Sequence, residues 1–457
     1  MWKLYDRTIV KKENLLFSNH DLFVLLLPIV LEQLLNSFMG MADTMMVSNV
    51  GSAAISAISL VDSINNLVIQ IFAALTTGAA IICSQYIGRE DLKGANRAAK
   101  QVFLAVFAIS VGVMIPCLIF RKPLLSFIFG KVTAEVMADS QIYFLITVIS
   151  YPFLALFDVG SAFFRAGGNS RFPMTVSVIS NVLNIAGNAI LIFGFHAGVA
   201  GAAISTLLSR VFSMCVVFYA LRRDRQQIVL RNYFTIRPDM PLIKKILAIG
   251  VPSGIENGMF QFGKLAIQST VSAMGTVAIA AQAMTNILEM LNGIAGIGIG
   301  IGLMTVVGQC IGAGRKEEAK YYIVKLTAIA EVAIIISCLF VLAITKLVVW
   351  IAHMETASAD MCFRMVVAIT IVKPIVWVLS FIPAYGMRAA GDVKFSMITS
   401  CCTMWLCRVS LCIYLCRVWG FGPIAVWIGM FADWTLRAIV CSLRFHGRKW
   451  LTHHIID

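Results

Sequence analysis

Charge is what this chain has least of. Asp, Glu, Lys and Arg together make up 13% of its 457 residues, whereas 59% are hydrophobic. A water-soluble fold would lack the polar side chains to cover its own surface, so the composition selects a polytopic membrane protein. Metal and redox chemistry find little support. The twelve Cys are scattered through apolar runs, with Cys401, Cys402, Cys407, Cys412 and Cys416 crowded as small packing residues, and no Cys-x-x-Cys pair comes with a His cluster. The six His include only the isolated His453-His454 pair in the tail. The glycines from Gly293 to Gly302 are flanked by apolar residues and no Lys-Ser or Lys-Thr follows. They form no phosphate loop, and no Walker motif appears elsewhere to supply primary ATP drive. No cleavable signal peptide is expected, because the first apolar run is too long and lacks a small-residue cleavage site.

The formal charge of +14 does not point to nucleic acid. Lys and Arg sit mainly between hydrophobic spans, where the preference for cytoplasmic positive charge accounts for them. Spans are expected at about 21–49, 53–83, 95–119, 137–165, 172–195 and 199–221, then at about 245–273, 277–307, 319–350, 360–388, 395–418 and 423–443. The basic N-terminus, central linker, alternate loops and tail place both termini in the cytoplasm; Arg121, Lys122 and Lys131 are the exception. The expected fold is an all-α membrane protein with twelve transmembrane helices: an N-terminal six-helix lobe over 1–221, a basic linker over 222–244 and a C-terminal six-helix lobe over 245–457.

The halves repeat. A shift of 224 residues carries Leu27-Pro28 onto Val251-Pro252, Glu32 onto Glu256, Gly51 onto Gly275, Asp62 onto Asn286 and Gln85 onto Gln309. A shift of 223 carries Arg165-Ala166 onto Arg388-Ala389 and Gly168 onto Gly391. Each half has six spans, so the repeats share one topology and suit alternating access around an axis along the membrane normal. Pro28 and Pro252 are expected early in their spans, and Pro374 in mid-span as a kink.

Charged and polar residues inside spans are costly and mark function or pairing. Glu32 and Asp43 are eleven residues apart in the first span, on one helical face. In the fifth span Ser177, Asn181, Asn184 and Asn188 recur at steps of four, three and four, which makes one polar stripe expected to face Asp43. The same stripe also suits plain interhelical hydrogen bonding. Asp62, Asp158, Glu256, Lys264, Glu289, Lys373, Arg408 and Asp433 are further intramembrane charges, some of which must pair. Glu256 and Glu289 are the expected contacts for a cationic substrate, with Glu32, Gln33, Ser177 and Asn181 as further candidates to line a substrate cavity.

Four stretches in order give the chain a resemblance to a known family. They are the Pro28 helix ending in Ala42-Asp43-Thr44; Ser84-Gln-Tyr-Ile-Gly-Arg-Glu-Asp with its copy from Gly308; Phe164-Arg-Ala-Gly-Gly-Asn-Ser-Arg-Phe-Pro; and Asn181-Val-Leu-Asn-Ile-Ala-Gly-Asn. With them the chain resembles the multidrug and toxic compound extrusion (MATE) family of the MOP flippase superfamily. The resemblance implies two lobes around a central cleft, and a monomeric antiporter in the bacterial cytoplasmic membrane. It implies export of cationic or amphiphilic small molecules, driven by inward H⁺ or Na⁺ with no other cofactor. Asp43 matches the family's first-span acid for cation coupling, and Asn184 its fifth-span Asn. Asn188 stands where a second acid is often found; its amide can ligate Na⁺ but cannot carry a proton. Two rivals remain: a flippase of lipid-linked substrates, which more often has fourteen spans and a basic cavity, and a polytopic membrane enzyme, for which the short loops offer no catalytic cluster.

Overall fold

The computed structural model describes residues 5–6, 10, 14–48, 50–130, 132–223, 226–233, 236–453 and 455. Every long element is a helix: α1 (Asn19–Ser48), α2 (Ser52–Gly88), α3 (Leu92–Ile119), the short α4 (Arg121–Phe129), α5 (Ala134–Ile149), α6 (Tyr151–Ala166), α7 (Arg171–Asn188) and α8 (Gly198–Leu221). The second half continues with α9 (Met240–Ser272), α10 (Thr276–Gly312), α11 (Lys316–Ile351), α12 (Thr356–Ala389), α13 (Val393–Thr403), α14 (Ser410–Arg417) and α15 (Ile424–His446). Wider helical turns extend α7 over Ala189–Gly194 and join α13 to α14 over Met404–Val409.

Ten of these helical stretches are long and apolar enough to cross a membrane, and α5 with α6, bent by 42°, make an eleventh span. α9 stands where the remaining span was expected but falls short on hydropathy, diluted by Ser253, Glu256, Asn257, Gln261 and Lys264. All twelve expected spans are therefore helical. The outward faces are as apolar as the core. Along α11, Val332, Ile336, Leu339, Phe340 and Trp350 are exposed, while Ala330, Ile334, Cys338 and Val341 are buried. A helix with apolar residues on every side needs lipid around it.

Local chemistry sets the breaks. Ser150 and Pro152 interrupt the fourth span, which was expected to be continuous; Pro152 supplies no N–H and starts α6. Pro28 and Pro252 are not early: they are the tenth and thirteenth residues of α1 and α9, well inside each helix. Gly88 and Gly312 end α2 and α10, a few residues beyond the expected span ends, and neither takes the left-handed conformation. That role falls two residues later, on Glu90 (φ 63°) and Gly314 (φ 74°). The Gly293–Gly302 stretch does allow close approach. A Cβ on Gly296 or Gly300 would lie 2.5 Å from Trp377 or Tyr385 of α12, and one on Gly298 or Gly302 would lie 2.7 or 2.2 Å from Val30 or Leu26 of α1. Glycines at i, i+4 thus serve one neighbour and the alternate pair serves another.

The chain divides into two compact units: an N-unit, Leu34–Gly254, and a C-unit, Met1–Gln33 with Ile255–Asp457. The division falls inside α1 and α9, a few residues beyond Pro28 and Pro252, so the linker residues belong to the N-unit. They dock there. Gln101 donates to Arg237 O and accepts from Asp239 N–H, both at 2.9 Å; Arg97 pairs with Asp239; and Tyr233 donates to Phe218 O. In the C-unit the N-terminal segment docks on α11 in the same manner, with Phe17 and Tyr322 exchanging two hydrogen bonds of 2.9 and 2.7 Å.

Candidate functional site

The N-unit brings the fifth-span stripe onto α1. Asn188 Nδ2 donates to Asp43 Oδ1 at 2.8 Å. Asn184, with its amide nitrogen toward the carboxylate, donates to the same oxygen at 2.8 Å while its own oxygen accepts from Thr206 Oγ1 of α8 at 3.2 Å. Ser177 and Asn181 lie two turns earlier on α7, and both donate to Asn36 Oδ1 at 3.0 Å. Asn36 and Asp43 are seven residues apart, so one face of α1 meets one face of α7 through four hydrogen-bonding side chains. The stripe therefore forms as the spacing requires, but its first half meets Asn36, which the sequence reading passed over.

Helix packing fixes α7 in this place. Gly187 lies between the two asparagines, and a Cβ there would be 2.4 Å from Ser205 Oγ of α8. The absence of that Cβ lets Ser205 donate to Asn184 O at 2.7 Å. Ser180 donates to Ser209 O at 3.0 Å on the same interface.

A second layer surrounds the carboxylate. Asp62 of α2 accepts from Asn65 at 3.1 Å and from Tyr143 OH at 3.3 Å, and Asn65 accepts from Tyr151 OH at 2.7 Å. Arg210 of α8 donates to Ser150 at 2.6 Å and lies within electrostatic reach of Asp43, Asp62 and Asp158. The bend between α5 and α6 places Ser150 and Tyr151 in this network. Arg210 was legible in principle, since a lone arginine in an apolar span is itself a signal.

The set combines one carboxylate with two amides and a hydroxyl. Asp43 supplies a carboxylate with two amide donors on one oxygen. Asn188 Oδ1 is buried and has no hydrogen-bond partner among the described residues. Sodium would be held by Asp43 and that carbonyl oxygen; a proton would sit on Asp43, because neither amide takes one. Among the described residues no group of three His, Cys, Asp or Glu side chains is placed to hold a metal ion.

The other expected site residues lie in the C-unit and do not join this cluster. Glu32 is buried and Gln33 half-buried, three helical turns before Asp43. Glu256 accepts from Arg388 and from Ser400, each at 2.6 Å. Glu289 accepts from Lys373 Nζ at 2.7 Å, and that ammonium also reaches Glu289 O at 3.0 Å. Both carboxylates expected to meet a cationic substrate thus already hold a cation of the protein. Arg408 and Asp433 form a buried ion pair at 3.1 Å.

Known proteins share this architecture. The chain is 29% identical to the transporter YisQ of Bacillus subtilis, over 94% of this chain and 95% of that one. It is 26% identical to the probable multidrug resistance protein NorM of Thermotoga maritima, over 97% and 96%. A solved structure of a multidrug resistance MATE family transporter of the MOP superfamily, in an outward-facing conformation, shares the fold with a TM-score of 0.87 at 20% identity, over 94% of this chain and 95% of that one. The family model MatE matches twice, at residues 28–190 and 252–414, so the two copies start and end at the 224-residue offset of the sequence repeat. With the MatE pattern covering most of both halves, the chain belongs to the MatE family of multidrug and toxic compound extrusion proteins, and is a membrane transporter rather than an enzyme.

Proposed function

We propose that the protein exports small amphiphilic organic solutes across a bacterial cytoplasmic membrane by alternating access, driven by inward H⁺ or Na⁺ acting at Asp43. One observation carries this reading. Asp43 is the carboxylate on which two amides converge, beside a buried carbonyl oxygen, Asn188 Oδ1, without a partner among the described residues. An intramembrane carboxylate held this way changes charge when a cation binds, and the cost of burying that charge then changes with it. Loading and release of the cation thereby favour different arrangements of α1 against α7, which is what coupling requires. The protein works as a monomer, with the basic linker and both termini at the cytoplasmic face.

Multidrug relatives support the direction and breadth of transport: NorM of Thermotoga maritima and the multidrug export protein MepA of Staphylococcus aureus align with this chain. The test is dye movement in proteoliposomes holding the full chain, with a pH gradient or a Na⁺ gradient imposed singly. Dye should move against its own gradient under one of the two. Movement under neither, with the protein inserted and folded, would sink the proposal.

A further inference from the structure

The C-unit has a polar core of its own, with a charge balance opposite to that around Asp43. Asp433 is fully buried and shared by two arginines: Arg437 Nη2 reaches Oδ1 and Arg408 Nη2 reaches Oδ2, each at 3.1 Å. Arg437 also donates to Ser400 at 3.1 Å and Thr403 at 3.2 Å. Lys373 is occupied by Glu289. Ser400 links Arg437 to Glu256, which Arg388 also holds, so among the described residues five cations, counting Lys264, share three carboxylates.

Lys264 forms no ion pair among the described residues, although Glu289 lies within its electrostatic reach. Among the described residues no carboxylate lies within 4 Å of it. Its Nζ stands 5.1 Å from the centre of the Phe260 ring, and Arg408 Cζ stands 4.9 Å from the same centre. Arg408 is 3% exposed, and its Nε has no hydrogen-bond partner among the described residues; Lys264 is exposed. One ring therefore carries a buried guanidinium and an accessible ammonium. Holding two like charges beside a low-dielectric ring is unfavourable, and an anion placed at the pair relieves it. A guanidinium and an ammonium suit a carboxylate or phosphate, and the ring suits the apolar body such a group is attached to. At the 224-residue offset, Phe260 and Lys264 correspond to Asn36 and Gly40, so the N-unit has no copy of this pair.

We infer that the C-unit binds an anionic group of the transported solute, a carboxylate or phosphate, at Lys264, Arg408 and Phe260. The substrates are then anionic or zwitterionic amphiphiles. The inference deepens the export reading and relies on it only in calling the bound solute a substrate.

The experiment measures equilibrium binding of carboxyfluorescein, an anionic dye, and ethidium, a cationic one, to the purified full chain in detergent. Both dyes are then followed in proteoliposomes under an imposed gradient. Wild type should bind the anion, Lys264→Gln should weaken it about tenfold or more, and Lys264→Arg should restore it. Lys264 is exposed, so these variants keep the fold; Asp43→Asn should leave anion binding intact. Added phosphatidylglycerol distinguishes the source of the anionic group: displacement of the dye marks a lipid headgroup, and no displacement marks a soluble solute. Anion affinity equal in wild type and Lys264→Gln, or binding of ethidium alone, overturns the inference even if a gradient drives export. Lys264-dependent anion binding without gradient-driven movement leaves the inference standing and overturns the coupling proposal instead.

Discussion

The two units are built from one repeat and carry opposite chemistry at matching depths of the first helix of each half. In the N-unit that helix presents Asn36 and Asp43; at the same register in the C-unit stand Phe260 and Ile267, with Lys264 between them. Asn65 of the N-unit hydrogen-bonds Asp62, whereas its counterpart Glu289 neutralises Lys373. Among the described residues the N-unit cluster thus keeps Asp43, Asp62 and Asp158 around Arg210, and the C-unit cluster keeps cations in excess of Asp433, Glu289 and Glu256. The difference teaches that the repeat preserves the order of the spans and a few prolines and glycines, whereas breaks and polar positions diverge: the fourth span breaks at Ser150, and its counterpart α12 is one continuous helix. Duplication accounts for the scaffold, and substitution at a few register positions gives the two units different polar chemistry.

Attacking each unit at its own centre breaks the comparison most directly. In the C-unit, Asp433→Asn leaves Arg408 and Arg437 without their shared carboxylate. Stranding buried charge costs about 3–5 kcal/mol, so thermal unfolding in detergent should show the largest loss of any single substitution here. A wild-type melting temperature would mean that the two arginines do not depend on Asp433. Gly300→Val should follow, at about 1–3 kcal/mol, because a side chain would enter the Tyr385 ring; the same substitution at Gly314, where no neighbour lies within 4 Å, acts only through its backbone conformation. Asn36→Leu removes the acceptor of Ser177 and Asn181 and should cost about 0.5–1.5 kcal/mol of N-unit stability, while anion binding in the C-unit stays unchanged. A change in that binding would show that the two sites are not independent. The smallest effect separates the two loops at the ends of α2 and α10. Glu90 holds a left-handed conformation that its counterpart Gly314 adopts freely, so Glu90→Gly should stabilise by about 1 kcal/mol. Stability unchanged or lower would show that the Glu90 side chain offsets its backbone strain.

Much of the fold was legible because spans depend on long apolar runs, and the repeat on glycines and prolines at one offset. The Asp43, Asn184 and Asn188 cluster was legible because helical spacing fixes which side chains share a face. Charge pairing was harder. Glu256 and Glu289 looked like substrate contacts, yet their partners Arg388 and Lys373 lie 132 and 84 residues further on, and spacing cannot show which distant helix supplies a counter-ion. Asn36 went unnoticed because an amide near a helix middle is a weak signal until a facing stripe is in place. The bend at Ser150 was legible in principle, because Pro152 breaks the N–H ladder of the fourth span. Of the three basic exceptions, Arg121 and Lys122 begin the short α4, and Lys131 lies outside the described residues.

Gradient-driven dye transport by Asp43→Asn, beside wild type and Glu289→Gln in matched proteoliposomes, tests the division between the units most directly. The substitution keeps size and hydrogen bonding and removes only the charge. Asp43→Asn should lose gradient-driven movement while still binding the dye, and Glu289→Gln should keep its dependence on the gradient even where affinity changes. Wild-type transport by Asp43→Asn under the same gradient would contradict the account and place coupling outside the N-unit cluster.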